Sequence, residues 1–134
     1  MFRKFETEDL QKITLQTEQK MEFDTINVAD NALTFEHNGL VRAVVWYVLL
    51  DEKRAAVFAL ISADIGLGLV GLVRQLKVMI EEQSKILNLN RVEMCTLKGF
   101  AQADRLAKML GFEYEGCMRK VFKGLDYNIY ARVK

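Results

Sequence analysis

The chain has 134 residues, of which 51% are hydrophobic and 28% charged, and its formal net charge is +1. This mixture is typical of a globular protein, so residues 1–134 are expected to form a single domain around one core. The near-neutral charge argues against a nucleic-acid-binding protein, which needs clustered lysine and arginine.

Targeting and metal-binding signals are missing from the sequence. The opening segment Met1–Glu6 lacks the apolar stretch of a signal peptide. The longest apolar run, Ala43–Leu50, is too short to span a membrane. Cys95 and Cys117 belong to no CxxC motif and have no histidine nearby, so neither a zinc site nor a disulfide framework is expected. A cytoplasmic protein with reduced thiols and no membrane partner is the prediction.

The N-terminal part predicts a short strand and a helix. Phe2–Phe5 can be extended, and Thr7 is a candidate N-cap for a helix that ends near Lys20. The polar segment Asp24–Asn31 is expected to be irregular.

Extended segments follow. Asn38-Gly39 is a strong signal for a hairpin turn. Leu40–Leu50 is almost continuously apolar, which predicts a strand buried on both faces. The three predicted strands are Ala32–His37, Leu40–Leu50 and Ala55–Ser62.

A long helix is predicted after Gly68, because apolar residues recur there at helical spacing. They are Leu69, Leu72, Val73, Leu76, Met79, Ile80 and Leu87. The remaining elements are predicted at Arg91–Thr96, Phe100–Leu110, Phe112–Phe122 and Tyr127–Val133.

The junction near the C-terminus is the most informative part of the chain. Ala103, Leu106, Ala107 and Leu110 form one apolar helix face. Gly111 follows where the chain must turn left-handed, and Phe112 begins a strand. This helix-Leu-Gly-Phe-strand junction, with Glu115-Gly116 after it, resembles the closing half of the GNAT superfamily of acyl-CoA N-acyltransferases.

Together with the element order, the resemblance covers nearly the whole chain. It implies an α/β fold, with a mixed, mostly antiparallel sheet flanked by helices in the order β-α-β-β-β-α-β-α-β-β. The central parallel pair of strands would splay apart to admit acyl-CoA. The implied activity is transfer of an acetyl or similar acyl group from acyl-CoA to a primary amine.

The resemblance also implies a site for the acetyl-CoA co-substrate. In this family a loop of pattern Q/R-x-x-G-x-G/A wraps the pyrophosphate with main-chain N–H groups, and the preceding strand binds the pantetheine arm. The residues implied here are Ile61, Ser62, Ala63, Gly66, Leu67 and Gly68. Main-chain N–H groups near Ile61 and Ser62 would polarise the thioester carbonyl. Gly68 is expected to face solvent.

Two residues of the loop depart from the family pattern. Ala63 replaces the usual Gln or Arg, and Asp64 adds a negative charge beside the expected phosphate. On charge alone, replacing Asp64 with Arg is expected to tighten CoA binding. The alternative interpretation of the loop is a strand-to-helix turn that binds no ligand.

The family's usual general acid is missing. It is a tyrosine of the late helix, and alignment on Gly111 and Phe112 puts Ala107 at its position and Phe100 at that of a frequent asparagine. No catalytic residue is therefore assigned. Candidate bases or water-binding groups are His37, Glu36, Ser62 and Glu93, and Cys95 could face the thioester. For His37, a solvated position at a hairpin tip is the simpler interpretation.

The segment from Phe100 to Gly116, with the ending Tyr130–Val133, is similar to small GNAT-like proteins encoded by tailed phages. This narrower resemblance implies a location in the host cytoplasm or the virion. It also leaves open a non-catalytic GNAT-fold protein with a structural or host-interaction role. The strands Glu113–Phe122 and Tyr127–Val133 would leave a sheet edge that must be covered, which predicts a homodimer.

Overall fold

A computed structural model describes residues 1–15, 19 and 28–134 of the chain. In this part the strands form one seven-stranded sheet in the order β1-β2-β3-β4-β5-β7-β6. The strands are β1 (Phe2–Lys4), β2 (Leu33–His37), β3 (Leu40–Asp51), β4 (Arg54–Ile61), β5 (Arg91–Leu97), β6 (Glu113–Phe122) and β7 (Leu125–Val133). The helices are a 3-10 helix (Thr7–Lys12), α1 (Gly68–Ile86) and α2 (Ala101–Met109).

The sheet is mixed and mostly antiparallel, which confirms the predicted fold class. The pairs β1–β2, β2–β3, β5–β7 and β6–β7 are antiparallel. The pair β4–β5 is parallel and runs from Arg54 opposite Arg91 to Ala56 opposite Glu93. The two edge strands are β1 and β6, and because β7 lies between β5 and β6, the edge on this side is β6 rather than the final strand.

The predicted first helix is only partly described. Its described part is the 3-10 helix, whose N-cap is Glu6 and not the predicted Thr7. The Glu6 main-chain N–H donates to Asp9 Oδ2 at 2.8 Å, because an acidic side chain at the third helical position reaches back to the cap. The 3-10 helix ends at Lys12, because Ile13 is extended and residues 13–15 are not helical. The prediction of one helix from Thr7 to Lys20 is therefore wrong; of residues 16–20 only Gln19 is described, and the start of the polar segment at Asp24 lies outside the described residues.

Two compact units are distinguished within the chain. The first comprises residues 1–48 and 57–75, and the second comprises residues 49–56 and 76–134. The core of the first unit consists of Ile13, Ala32, Val41, Val44, Trp46 and Leu60. Trp46 also stacks on Phe58, with ring centroids 5.5 Å apart.

Burial of β3 differs from the prediction. Val41 and Ala43–Trp46 are buried, but Val48, Leu49 and Leu50 are 41–51% exposed. The pairing of β2 with β3 ends at Leu33 opposite Val45. Since β3 is 12 residues long and β2 only 5, the far end of β3 extends beyond its partner and is less covered.

The second unit contains the helix-glycine-strand junction that the sequence singles out. Leu106 and Ala107 of α2 are buried, as the apolar spacing predicts. Gly111 has a φ of 86°. Its N–H donates to Lys108 O at 3.0 Å, and that of Phe112 donates to Ala107 O at 3.0 Å. This is the paired hydrogen bonding of a Schellman motif, so the predicted glycine stop is confirmed.

A buried ion pair ties the N-terminal strand to the 3-10 helix. Asp9 is fully buried, and Arg3 binds its two carboxylate oxygens at 2.7 and 2.9 Å. The Thr34 hydroxyl donates to Asp9 Oδ2 at 2.7 Å. The hydrogen bond from Arg3, with those from Glu6 and Thr34, holds the pKa of the Asp9 carboxyl well below its usual value.

Replacement of Asp9 by Asn is expected to destabilise the protein by about 3 kcal/mol, because it leaves the Arg3 guanidinium without its buried partner. A carboxyl whose pKa is lowered in the folded state stabilises the fold fully above its unfolded pKa of about 4, and this stabilisation is lost progressively as the pH falls from there towards the folded-state pKa. The stability gap between wild type and Asp9→Asn should therefore narrow below about pH 4. Urea unfolding between pH 3 and 7 measures both effects.

The matched control is Glu36→Gln. Glu36 accepts a hydrogen bond from Arg3 Nε at 2.8 Å but is partly exposed, so its loss should cost less than about 1 kcal/mol. Equal losses in the two variants would contradict the central role of Asp9.

Candidate functional site

The predicted cofactor-binding residues form one continuous turn from β4 into α1. Three main-chain N–H groups of the turn each donate to the carbonyl oxygen three residues earlier in the chain. The N–H of Ile65 donates to Ser62 O at 3.1 Å, that of Gly68 to Ile65 O at 3.0 Å and that of Leu69 to Gly66 O at 3.2 Å. Gly66 has a φ of 54°, a conformation that favours glycine. The turn is therefore tight and depends on Gly66.

Main-chain donors remain free at the tip of this turn. Among the residues that the structure describes, no protein acceptor binds the N–H groups of Gly66 and Leu67. Both residues are exposed, and the first turn of α1 carries no acidic side chain. Free N–H groups at the positive end of a 19-residue helix can bind an anion.

The other end of the turn is already bonded within the protein. Ser62 is buried, and its N–H donates to Arg42 O at 2.8 Å. The Ala63 N–H donates to Thr14 O at 2.8 Å, and the Ser62 hydroxyl accepts from the Thr14 N–H at 3.2 Å. Neither Ser62 nor Ala63 therefore offers a free main-chain donor, so the expectation that the Ser62 N–H polarises a thioester carbonyl is wrong for this arrangement.

Asp64 has a structural partner on each side. Its Oδ2 accepts from Arg42 Nη1 at 2.8 Å, and its Oδ1 accepts from the Ser62 hydroxyl. The Ser62 hydrogen bond, together with the charge of Arg42, lowers the pKa of the Asp64 carboxyl. The negative charge predicted to oppose phosphate is thus offset by an adjacent guanidinium.

A β-bulge places Arg42 in this position. Phe35 lies opposite Ala43, whereas the next residue, Glu36, lies opposite Val41. Arg42 is therefore the extra residue on β3, and a bulge redirects the side chain that it carries. Its main chain binds Ser62 while its side chain binds Asp64.

His37 packs against the first residue of α1. A Cβ atom added to Gly68 would lie only 3.1–3.2 Å from Cγ, Cβ and Cδ2 of His37. One turn along the helix, a Cβ on Gly71 would lie 3.4 Å from the Phe35 ring. Gly68 is buried, so its expected solvent-facing position is wrong, and the imidazole is not simply a solvated tip residue.

The remaining candidate bases in both units already have partners. Glu36 binds Arg3 at 2.8 Å. Glu93 is buried and lies 2.7 Å from Arg91 and 3.6 Å from Arg54. Each of these carboxylates is therefore already bound by an arginine within its own unit.

The late helix carries no replacement acid at the family position. Ala107 is 0% exposed, and Phe100 packs with Leu97 and Tyr127.

Cys95 is an exposed free cysteine. Partial desolvation and the charge of Glu93 nevertheless raise the pKa of its thiol, which disfavours the nucleophilic thiolate.

A polar cluster in the second unit was not predicted. Asp104 Oδ1 accepts from the Thr96 hydroxyl at 2.7 Å, the Tyr130 hydroxyl at 3.1 Å and Asn128 Nδ2 at 3.4 Å. Burial and the Asp104 charge raise the pKa of Tyr130. The cluster anchors α2 to β5 and β7. Its members are far apart in sequence, so only an acidic residue in the first turn of α2 hinted at it.

Residues 1–15, 19 and 28–134 contain neither a membrane-spanning helix nor a cluster of metal ligands. No helix there is long and apolar enough to cross a membrane. No group of three or more His, Cys, Asp or Glu side chains there is arranged to hold a metal ion.

Known proteins resemble this chain in fold rather than in sequence. No protein-family model matches the sequence, and no curated protein matches it either. Among solved structures, Ard1 from Thermoplasma volcanium has a TM-score of 0.75 at 12% identity, covering 99% of this chain and 96% of that chain. A GNAT-family acetyltransferase from Bacillus anthracis has a TM-score of 0.72 at 13% identity, covering 98% and 93%.

The microcin C7 self-immunity acetyltransferase MccE, solved in complex with acetyl-CoA and AMP, has a TM-score of 0.65 at 23% identity. The match covers 77% of this chain and 60% of that chain, so this chain spans less than two thirds of that protein. These similarities agree with the observed sheet and helices, and the chain has the fold of the GNAT acetyltransferases.

Proposed function

We propose that this chain is an acyl-CoA-dependent N-acyltransferase that moves an acetyl or similar acyl group to a primary amine. The observation that carries the proposal is the turn between β4 and α1, where the N–H groups of Gly66 and Leu67 have no protein acceptor among the described residues. Two such donors at a helix N-terminus suit the pyrophosphate of CoA. Acetyl-CoA is the proposed co-substrate.

The surroundings of the turn support this assignment. The exposed side chains of Leu67 and Val70 flank the free N–H groups and offer apolar surface to the non-phosphate parts of a CoA molecule. Ser62, Arg42 and Asp64 fix the turn through hydrogen bonds, so its donors are held in place before ligand binds. Preorganised donors avoid an ordering cost on binding.

In the proposed reaction, the nitrogen of a neutral amine attacks the thioester carbonyl carbon. The C–N bond forms and the C–S bond breaks, so the acyl group passes to the amine and CoA leaves as a thiolate. The amine loses one proton to solvent or to an unassigned base, and the thiolate gains one from solvent. Ala107 cannot supply that proton, but a thiolate is a sufficiently stable leaving group to depart without an acid.

A second candidate is a non-catalytic GNAT-fold protein, such as a phage structural or host-interaction factor. The specific observation in its favour is Ala107, which is fully buried and carries no group that could donate a proton. The phage origin, like a location in the host cytoplasm or the virion, stays a prediction. The two candidates differ in whether thiol is released when acetyl-CoA and amines are supplied.

The proposed assembly is a homodimer. Strand β6 is one of the two edge strands of the sheet, and an uncovered edge strand favours pairing with another chain.

Acetyl-CoA is expected to bind with a dissociation constant in the micromolar range. Isothermal titration calorimetry measures binding, and thiol release with a panel of primary amines measures transfer. Binding without thiol release would favour the non-catalytic alternative. No binding at millimolar acetyl-CoA would contradict the proposed function altogether.

A charge placed at residue 68 should oppose the pyrophosphate. Because His37 leaves no room for a side chain on Gly68, the substitution is made together with His37→Ala. The double variant His37→Ala/Gly68→Asp should bind acetyl-CoA at least about tenfold more weakly than His37→Ala/Gly68→Asn, since only the former adds a negative charge. Both side chains are good helix N-terminal residues, so both proteins should fold.

The isosteric pair isolates charge from shape. Acetyl-pantetheine, which lacks the pyrophosphate, should bind the two double variants equally. Equal acetyl-CoA affinity in two folded variants would show that residue 68 does not lie beside the phosphates.

Asp64→Asn tests the two roles considered for Asp64. The contacts with Ser62 and Arg42 lead us to expect that the variant weakens acetyl-CoA binding about fivefold, because a charge-assisted pair that holds the turn is lost. This is opposite to the sequence-based expectation that removing the charge helps. The control Glu82→Gln lies on the exposed surface of α1 and should leave affinity unchanged. Tighter acetyl-CoA binding by Asp64→Asn would instead support the sequence-based expectation that the Asp64 charge repels the phosphates.

A further inference from the structure

Gln19 is a buried side chain with only one of its two polar atoms bonded. It is 5% exposed, and its Nε2 donates to Ala59 O on β4 at 3.1 Å. Its Oε1 is buried and has no hydrogen-bond partner in the part of the chain that the structure describes. Because a carbonyl only accepts, Ala59 O fixes which end of the carboxamide faces β4. One hydrogen bond therefore holds the Gln19 amide, and a buried acceptor is left unpaired.

A second carboxamide in the first unit shows the fully bonded arrangement. Asn31 Nδ2 donates to Tyr47 O at 2.9 Å, and Asn31 Oδ1 accepts from the Tyr47 N–H at 3.0 Å. Both polar atoms of Asn31 thus pair with one residue of β3. A buried acceptor without a donor, such as that of Gln19, instead costs free energy. A ligand that offers its own donor to Ala59 O can therefore replace Gln19 without that cost.

The Ala59 carbonyl lies on the side of β4 that faces away from β3. Directly after β4, the Ser62 N–H donates to Arg42 O on β3 at 2.8 Å. Main-chain groups point to opposite sides in successive residues of a strand. Ala59 and Ile61 therefore direct their main-chain groups away from β3. The parallel pairing with β5 ends at Ala56, before either residue.

Ala59 and Ile61 lead along the chain into the turn that is proposed to bind the pyrophosphate of CoA. In the proposed function, the pantetheine arm of acyl-CoA lies along β4. This arm contains amide groups, each with an N–H donor. A pantetheine amide and the Gln19 carboxamide are the same kind of donor to a main-chain carbonyl. Ala59 O is therefore suited to either of them.

We propose that Gln19 is an internal substitute for the pantetheine arm. Its carboxamide covers Ala59 O in the free protein, and acyl-CoA displaces it with an amide N–H of its own. The displaced Gln19 Oε1 leaves the position in which it is unpaired, while Ala59 O stays bonded. Acyl-CoA binds with lower apparent affinity in proportion to the fraction of molecules in which Ala59 O is uncovered. The inference rests on the proposed function, because it requires acyl-CoA to lie along β4.

Removal of the carboxamide tests the displacement. Gln19→Met keeps the side-chain volume without either polar atom, and Gln19→Ala removes the bulk as well. In calorimetry, both variants are expected to bind acetyl-CoA and acetyl-pantetheine about tenfold more tightly than wild type, because no amide competes for Ala59 O. ADP, which carries a pyrophosphate without the pantetheine arm, should bind wild type and both variants equally.

The matched control is Asn31→Ala. It also removes a carboxamide that is bonded to the main chain of the first unit, but on β3 rather than on β4. This variant should bind acetyl-CoA, acetyl-pantetheine and ADP as wild type does. Thermal unfolding shows whether each variant is folded.

NMR of isotope-labelled wild type follows the Gln19 side chain directly and needs no variant to fold. Saturating acetyl-CoA should move its NH₂ signals to the position of a solvent-exposed glutamine, whereas ADP should leave them in place. Gln19 signals that stay unchanged in the acetyl-CoA complex would overturn the proposal.

The outcomes distinguish this inference from the proposed function. Unchanged or weaker acetyl-CoA binding by folded Gln19 variants would overturn the displacement, while wild-type binding and thiol release would still support acyl transfer. Binding by the variants alone would support both. No binding by wild type or either variant at millimolar acetyl-CoA would contradict the proposed function, and the inference would fail with it.

Discussion

The turn between β4 and α1 is the constraint on which the proposed site depends. Gly66 allows the left-handed conformation that brings the chain into the helix within a few residues. The Asp64 carboxylate then holds the turn by binding Ser62 on one side and Arg42 on the other. Because the donors near the strand end are bonded within the protein, the free donors are concentrated at Gly66 and Leu67. The site therefore consists mainly of main chain at the positive end of one helix.

Close packing explains why the helix begins with small residues. Gly68 and Gly71 lie three residues apart, and they accommodate His37 and Phe35, which are two residues apart on β2. A helix repeats its face every three or four residues and a strand every two. The two glycines therefore match two successive side chains of one strand face. Gly68 thus serves packing between helix and strand as well as any approach to phosphate, and a substitution there affects both.

The late helix lacks the tyrosine and the asparagine that GNAT enzymes often carry, at the positions of Ala107 and Phe100. A different hydrogen-bond network occupies this region. Phe100 and Ala107 are buried, apolar positions. Asp104, one turn before Ala107, instead collects hydroxyl and amide donors from β5 and β7. Such a network fixes the helix on the sheet, since buried or half-buried polar groups favour one arrangement that satisfies them. Its donors and acceptor are committed to each other.

The sequence by itself determined the order of the elements, the type of all of them except the first helix, the glycine stop at Gly111 and the hairpin at Asn38-Gly39, because these depend on local periodicity and backbone conformation. It also located the loop at Gly66 and Gly68. Only the tertiary structure decided which donors of that loop are free, how Arg42 offsets Asp64, and that His37 covers Gly68. Each of these depends on contacts between residues distant in sequence, including a bulge that no local pattern marks. The position of β6 at the edge, with β7 inside, was likewise a matter of strand order, which sequence periodicity does not contain.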